Sequence, residues 1–98
     1  MKPDFSSAKN ILGCSLILTS EAFPEQYDVY KGKHQIGYLR LRNGKFRANY
    51  PRHGGEEIFF HEFDDALKGH FDDDDERTRF LEMVIVILKK RFAEDANS

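Results

Sequence analysis

Four basic side chains surround an Asn-Gly pair in the stretch GYLRLRNGKFRANYP, residues 37–51. Apolar and polar residues alternate on both sides of this pair, and the pattern predicts a β-hairpin with a two-residue turn. In that register the polar face of the hairpin carries Tyr38, Arg40, Arg42, Lys45 and Arg47. Guanidinium and ammonium groups bind phosphates, and a tyrosine ring can stack on a base. One hypothesis is therefore a nucleic-acid-binding face.

The cations of this face have three possible environments. They are solvated, they are neutralised by acids of the same chain, or they bind a polyanionic ligand. Residues 31–55 carry seven Lys or Arg and no acid, whereas residues 56–76 carry ten acids and one Lys. We expect partial neutralisation by Glu62, Asp64, Asp65 or the run 72–76, because this acidic block follows the basic block directly. The net charge of −2 argues against a dedicated nucleic-acid binder, which usually is clearly basic.

The acidic block offers a second binding hypothesis. Capping and the helix dipole use acids only within the first turn of a helix, and FDDDDE at residues 71–76 supplies more than that. The surplus carboxylates predict an acidic patch that docks on a basic protein partner, since such complementarity speeds association and selects partners. The predicted partner-binding residues are Asp64, Asp65, Asp72, Asp73, Asp74, Asp75 and Glu76.

Residues for catalysis or for a metal are sparse. His61, His70 and Asp64 or Asp65 match no strong zinc spacing, and there is no second cysteine beside Cys14. No base is placed to activate Cys14 or a serine as a nucleophile, so Cys14 is interpreted as a small buried apolar residue. The sequence therefore predicts a binding protein without catalytic residues, metal or cofactor.

The clearest element that would position these groups is a C-terminal helix. Acids at 72–76 precede RTRFLEMVIVILKKRF, where one stripe joins Leu81, Val84, Ile85, Leu88 and Phe92, widened by Phe80 and Ile87. Lys89, Lys90 and Arg91 would complement the negative end of the helix dipole. This helix should pack on the apolar face of the hairpin.

The strands QYDVY, QIGYLRLR, KFRAN and EEIFFHEF form the predicted sheet. If the first turn is Gly32-Lys33, Val29 would lie on the cationic face, so either a bulge near Gly37 switches the faces or the sheet is covered on both sides. A helix is expected from about Ala8 to Ala22, with a strand at CSLILT as the alternative. The predicted fold is α+β: an antiparallel sheet of three to four strands with the C-terminal and N-terminal helices on one face.

Length and composition are those of one small globular domain. The chain has 98 residues, 40% of them hydrophobic, and residues 1–7 and 93–98 read as flexible tails. One cysteine excludes an intrachain disulfide and is typical of a reducing compartment, so a cytoplasmic location is expected. The longest apolar tracts are far shorter than the ~20 residues of a membrane-spanning helix.

Several short segments of the sequence resemble those of a set of small bacterial proteins of unassigned role. These segments are FPEQYDVY, GYLRLRNGKF, YP and GGE; an acidic segment and a last helix follow them, and the resemblance spans residues 23–92. The small size and the acidic patch are also similar to immunity proteins of contact-dependent growth inhibition systems. That resemblance implies a protein that binds and blocks a toxin domain, often a basic nuclease, and it assigns no functional residue.

Overall fold

The fold was obtained as a computed structural model that describes residues 4–20 and 24–97. Within these residues, six antiparallel strands form one sheet in chain order, and one helix follows them. The strands are β1 Lys9–Ile11, β2 Cys14–Leu18, β3 Glu25–Lys31, β4 His34–Arg42, β5 Lys45–Tyr50 and β6 Glu56–Glu62, and the helix is α1 Asp74–Ala96. The predicted α+β class with an antiparallel sheet is confirmed.

The β4–β5 hairpin has the predicted register. Arg42 pairs with Lys45, Leu41 with Phe46 and Arg40 with Arg47 across a turn in which both central residues have positive φ. Asn43 and Gly44, at φ 53° and 74°, are residue types that tolerate this conformation. The apolar side chains of the hairpin, among them Leu39, Leu41, Phe46 and Ala48, are fully buried under α1.

A bulge in the β3–β4 pair resolves the register problem. The pairing shifts between Val29 and Tyr30, so that Val29 lies opposite Gly37 and Tyr27 opposite Leu39, on the buried side of the sheet. Gly37 also sets how closely the helix approaches, because a Cβ there would lie 2.5 Å from Leu88 Cδ1. Of the two alternatives that the sequence left open, the structure shows the bulge near Gly37.

Helix α1 buries the predicted stripe. Its buried residues are Phe80, Leu81, Val84, Ile85 and Leu88, while Phe92 packs partly buried against the same core. The helix continues to Ala96, and its last turn contains no basic residue. The prediction that Lys89, Lys90 and Arg91 complement the carboxyl end was therefore wrong, and residues 93–96 of the predicted tail are helical.

The predicted N-terminal helix was wrong over its described part. Residues 9–18 form a hairpin, β1 and β2, and residues 21–22 of the prediction lie outside the described residues. Leu12 and Gly13, at φ 50° and 83°, make its turn. Cys14 and Leu16 alternate with half-buried neighbours, so the burial follows the two-residue period of a strand. This hairpin extends the sheet beyond the predicted three to four strands. Residues 4–7 of the predicted N-terminal tail contain neither helix nor strand, and residues 1–3 lie outside the description.

Candidate binding surface on the open face of the sheet

The face of the sheet that points away from α1 carries no helix within the described ranges; we call it the open face. Its side chains alternate with the core residues along each strand. Gln26 and Asp28 come from β3, Tyr38, Arg40 and Arg42 from β4, Lys45 and Arg47 from β5, and Phe60 and Glu62 from β6. The structure thus brings all five predicted nucleic-acid-binding residues to one face.

Four cations of this face, which we call the basic cluster, are Arg40, Arg42, Lys45 and Arg47. Together with Asn43 they line an open depression of about 190 Å³. Arg47 is paired, since its Nη1 lies 2.5 Å from Glu57 Oε1 and its guanidinium lies 4.8 Å from the centre of the Phe60 ring. For Arg40, Arg42 and Lys45, no carboxylate of the described residues lies within ion-pair distance.

A polar pocket of about 400 Å³ adjoins the basic cluster on its β3 side. It is lined by Thr19, Gln26, Asp28, Gln35, Tyr38, Arg52 and His53. Tyr38 is only 9% exposed; its hydroxyl donates to Gln26 Oε1 at 3.1 Å, and the His53 ring covers it edge-on at 4.9 Å. Tyr38 is therefore not the open stacking surface that the sequence predicted. The exposed rings near the cluster belong to His53 and Phe60, which sequence reasoning missed.

Asp28 is the acid of this pocket. Burial raises the pKa of its carboxyl, and a hydrogen bond from Gln35 and the proximity of His53 only partly oppose the rise. The carboxylate is thus less well solvated or bonded than an ordinary surface aspartate. The alternation of QYDVY placed Asp28 on the polar face, but nothing in the sequence predicted a pocket around it.

Residues 63–69, which connect β6 to the chain before α1, pass the tip of the β4–β5 hairpin and do not cross the open face. We call them the connecting segment. Phe63 N–H donates to Gly44 O at 2.7 Å, and Gly44 N–H donates to Lys68 O at 2.8 Å. Glu25 N–H then donates to Gly69 O at 2.8 Å, which leads the chain toward α1. The expected partial neutralisation by acids of the same chain is present, since Glu57 of β6 pairs with Arg47. The choice of acids was wrong, because neither Glu62, Asp64, Asp65 nor the run 72–76 forms an ion pair with the basic cluster in the described part of the chain.

Most of the predicted acidic patch has a structural partner. Asp73 caps α1 by accepting from Glu76 N–H at 2.8 Å, and Glu76 in turn accepts from Asp72 N–H at 2.9 Å. Asp74 pairs with Arg77, and Asp65 accepts from Leu67 N–H at 2.9 Å. Within the part of the chain that the structure describes, Asp64 and Asp75 are the members of the patch without such a partner.

Lys68 is the cation that holds the acids at the start of the helix. Its Nζ lies 2.7 Å from Asp72 Oδ1, 2.8 Å from Glu76 Oε1 and 4.7 Å from the centre of the Phe63 ring. Next to it in the chain, Leu67 is 89% exposed. An apolar side chain thus projects from an acidic loop, a feature that the sequence analysis did not single out.

A buried ion pair ties β3 to the start of α1. Glu25 is 7% exposed and accepts from Arg77 Nε at 2.8 Å, Tyr27 Oη at 2.5 Å and Phe71 N–H at 3.1 Å. Burial raises the pKa of the Glu25 carboxyl, but these hydrogen bonds outweigh it and the net pKa is lowered. Burial and the neighbouring Glu25 carboxylate raise the pKa of Tyr27. Because the polar atoms satisfy one another, the network fixes the helix to the sheet.

The residues that the sequence offered as possible metal ligands contact different parts of the structure. His61 packs against the rings of Phe63 and Phe80, and His70 Nδ1 lies 2.8 Å from Phe71 O. Among residues 4–20 and 24–97, no three His, Cys, Asp or Glu side chains are grouped closely enough to hold one ion. The buried Cys14 lies in the core, as predicted.

No helix of the described residues is both long and apolar enough to cross a membrane. No protein-family model, curated protein or solved structure matches this chain.

Proposed function

We propose that this protein is a non-enzymatic binding protein whose open face binds the phosphates of a nucleic acid. The observation that carries the proposal is that Arg40, Arg42 and Lys45 share this face while no carboxylate of the described residues pairs with them. Cations directly opposed across strands repel one another, so the fold itself gains nothing from their grouping. An external polyanion would supply the missing negative charge.

The surroundings of the basic cluster support this ligand class. The exposed Phe60 ring lies on one side of the cluster, and the polar pocket with His53 lies on the other. Single-stranded nucleic acids are bound by cationic surfaces with interleaved aromatic rings, on which bases stack. The acidic patch is a weaker candidate surface, because most of its carboxylates are engaged within the fold.

The direct test is a titration with a labelled single-stranded oligonucleotide of about twelve nucleotides, a length within the site sizes of such surfaces. If three phosphates contact the three unpaired cations, affinity should fall about twentyfold between about 50 and 200 mM salt. The triple variant Arg40→Gln, Arg42→Gln, Lys45→Gln should lose both this affinity and its salt dependence. Fluorescence anisotropy measures both quantities.

A matched control removes the same charge elsewhere. Lys31 and Lys33 lie at the opposite end of the sheet and Lys90 on α1, and all three are exposed. The variant Lys31→Gln, Lys33→Gln, Lys90→Gln should therefore bind as the unaltered protein does. Equal losses in the two triple variants, or no binding at the lower salt concentration, would contradict the proposed function.

A second candidate function is a cytoplasmic inhibitor or immunity protein that blocks a basic toxin domain. The observation that favours it is Leu67, which projects 89% exposed from the loop that carries Asp64 and Asp65. An apolar anchor within a charged rim is the arrangement that concentrates binding energy in protein interfaces. Asp64 and Asp75 would supply the complementary charge for a basic cleft.

This candidate is tested by purifying the tagged protein from its native host and assaying any co-purified protein for a toxic activity that it suppresses. The variant Asp64→Asn, Leu67→Ala, Asp75→Asn should lose suppression. The control variant Glu82→Gln, Val86→Ala, Glu94→Gln changes the same kinds of exposed side chain on α1 and should retain it. Recovery of the protein alone, with no toxin encoded beside its gene, would refute this candidate.

A further inference from the structure

We infer that the open face takes its nucleic acid as a single strand, with one base in the polar pocket, where Asp28 accepts a hydrogen bond from the base's exocyclic amine. This inference rests on the proposed function, since it names the form of nucleic acid and the base class that the same face would select. Cytosine, adenine and guanine carry such an amine, whereas uracil and thymine do not.

The pocket and the basic cluster are close enough to serve neighbouring parts of one nucleotide. In the β3–β4 register, Gln26 lies directly opposite Arg40, and Asp28 lies opposite Tyr38. Tyr38 is two residues before Arg40 on the same strand, a separation of about 7 Å. A phosphate on Arg40 therefore leaves its base within reach of the pocket, without any movement of the sheet.

The groups that line the pocket are those that read a base. The amides of Gln26 and Gln35 and the hydroxyl of Thr19 both donate and accept, and the exposed His53 offers an aromatic surface. A pocket with this lining distinguishes bases by their hydrogen-bonding edges, which a cationic surface alone cannot do.

Asp28 is the group that decides the preference. An ionised carboxylate only accepts hydrogen bonds, and carboxylates recognise the amine of cytosine in this way. Asp28 lies beside the Gln35 amide, whose Nε2 donates to Gly37 O at 3.3 Å, and burial raises the pKa of the Asp28 carboxyl. An amine of the base would supply a donor to this half-buried carboxylate.

The position of the pocket beside the basic cluster favours a single strand over a duplex. In a duplex the bases are stacked and paired, so that none can enter a pocket beside the phosphates, whereas unstacked bases of a single strand can be splayed onto a protein surface. Phe60, which is 43% exposed beside Arg47, offers a stacking surface for another base on the far side of the basic cluster.

The experiment compares oligo(dC), oligo(dT) and a duplex of equal length, about twelve nucleotides, by fluorescence anisotropy at one salt concentration. Oligo(dC) should bind about tenfold or more tightly than oligo(dT), because a thymine in the same orientation turns its O4 acceptor toward the Asp28 carboxylate and one hydrogen bond to a charged group is lost. Both single strands should bind more tightly than the duplex. In Asp28→Ala the ratio of the two single-strand affinities should fall to about one.

The matched control is Glu62→Ala, which removes a carboxylate from the same face, opposite Lys45 and outside the pocket. Both substitutions raise affinity for any polyanion by removing negative charge, so the oligo(dC) to oligo(dT) ratio is the informative quantity. Glu62→Ala should leave this ratio unchanged.

The outcomes separate this inference from the proposed function. If Asp28→Ala keeps the ratio, or the duplex binds as tightly as the single strands, the inference fails while the cationic face remains a binding surface. Competition by polyglutamate as effective as that of oligo(dC) would overturn the base pocket and show that the face responds to charge alone. No binding of any of these ligands would refute both.

Discussion

Two groups of cations in this protein have opposite environments. Lys68 and Arg77, near the start of α1, each contact two carboxylates, whereas Arg40, Arg42 and Lys45 on the open face contact none of the described ones. The acids near α1 are matched by cations close in sequence, Lys68 to Asp72 at i, i+4 and Asp74 to Arg77 at i, i+3. Blocks of opposite charge that adjoin in sequence therefore need not neutralise each other in the fold.

The largest effect should come from breaking the pair that is built into the core. Arg77→Met keeps the length of the side chain but leaves the Glu25 carboxylate buried without its cation. We expect a loss of about 3 kcal/mol in the free energy of unfolding, the lower end for buried pairs, because Arg77 remains partly exposed. Urea denaturation measures it, and Arg42→Met, on the open face, should change stability by less than about 0.5 kcal/mol. Similar losses in both variants would remove the contrast between the two groups.

A smaller effect should appear in the dependence of stability on pH. The pKa of Glu25 is lower in the folded protein than in the unfolded chain, so its ionised form stabilises the fold above the unfolded pKa. That stabilisation is lost as the pH falls through the folded pKa. The stability difference between the unaltered protein and Glu25→Gln should therefore shrink in acid, as urea denaturation at a series of pH values would measure. Glu82→Gln, an exposed substitution, should give a curve parallel to that of the unaltered protein, and a constant difference for Glu25→Gln would contradict the prediction.

The cap of α1 should contribute less than the buried pair. Asp73→Ala leaves the Glu76 N–H without its acceptor and should lower the free energy of unfolding by about 1–2 kcal/mol. Asp75→Ala removes an exposed acid from the same run and should cost only its interaction with the helix dipole, about 0.3–1 kcal/mol. Thermal unfolding of the two variants sharpens the distinction between acids that the fold uses and acids that it leaves free. Equal costs would mean that charge, and not the hydrogen bond, matters at this position.

The smallest effect on stability should come from the three unpaired cations together. The variant Arg40→Gln, Arg42→Gln, Lys45→Gln relieves repulsion between Arg40 and Arg47 and between Arg42 and Lys45, which lie directly opposite each other. Its free energy of unfolding should match that of the unaltered protein within about 0.5 kcal/mol, or exceed it. A marked loss in urea denaturation would show that these side chains support the fold, against the proposed binding role.

The two hairpins show where sequence reasoning succeeds. At Asn43-Gly44, both residue types favour positive φ and the flanking strands alternate over several residues, so the register and the shared face of the cations were predictable. At Leu12-Gly13 the same turn conformation begins with a leucine, and β1 is only three residues long. The run Leu16-Ile17-Leu18 fits either period, and only pairing with β3 decides between helix and strand.

The candidate site was predictable in its charges but not in its shape. Alternation placed Arg40, Arg42, Lys45 and Arg47 together, because strand geometry alone determines which side chains share a face. The covering of Tyr38 by His53 and the pocket around Asp28 depend on how the loop at residues 51–55 folds back onto the sheet. Glu25 and Arg77 lie 52 residues apart in the sequence, so no local pattern reveals their contact.

The tip of the β4–β5 hairpin also has a consequence for protein engineering. Hairpin tips usually accept inserted peptides. At Gly44, however, the backbone N–H and C=O both form hydrogen bonds with the connecting segment, and a Cβ would clash with Asp65 O. A graft there would displace the connection that leads to α1. At Gly32 the β3–β4 turn is open, since no atom of residues 4–20 and 24–97 lies within 4 Å of the position of a Cβ. An affinity tag or a fluorophore belongs at this second turn, which lies at the opposite end of the sheet from Asn43-Gly44.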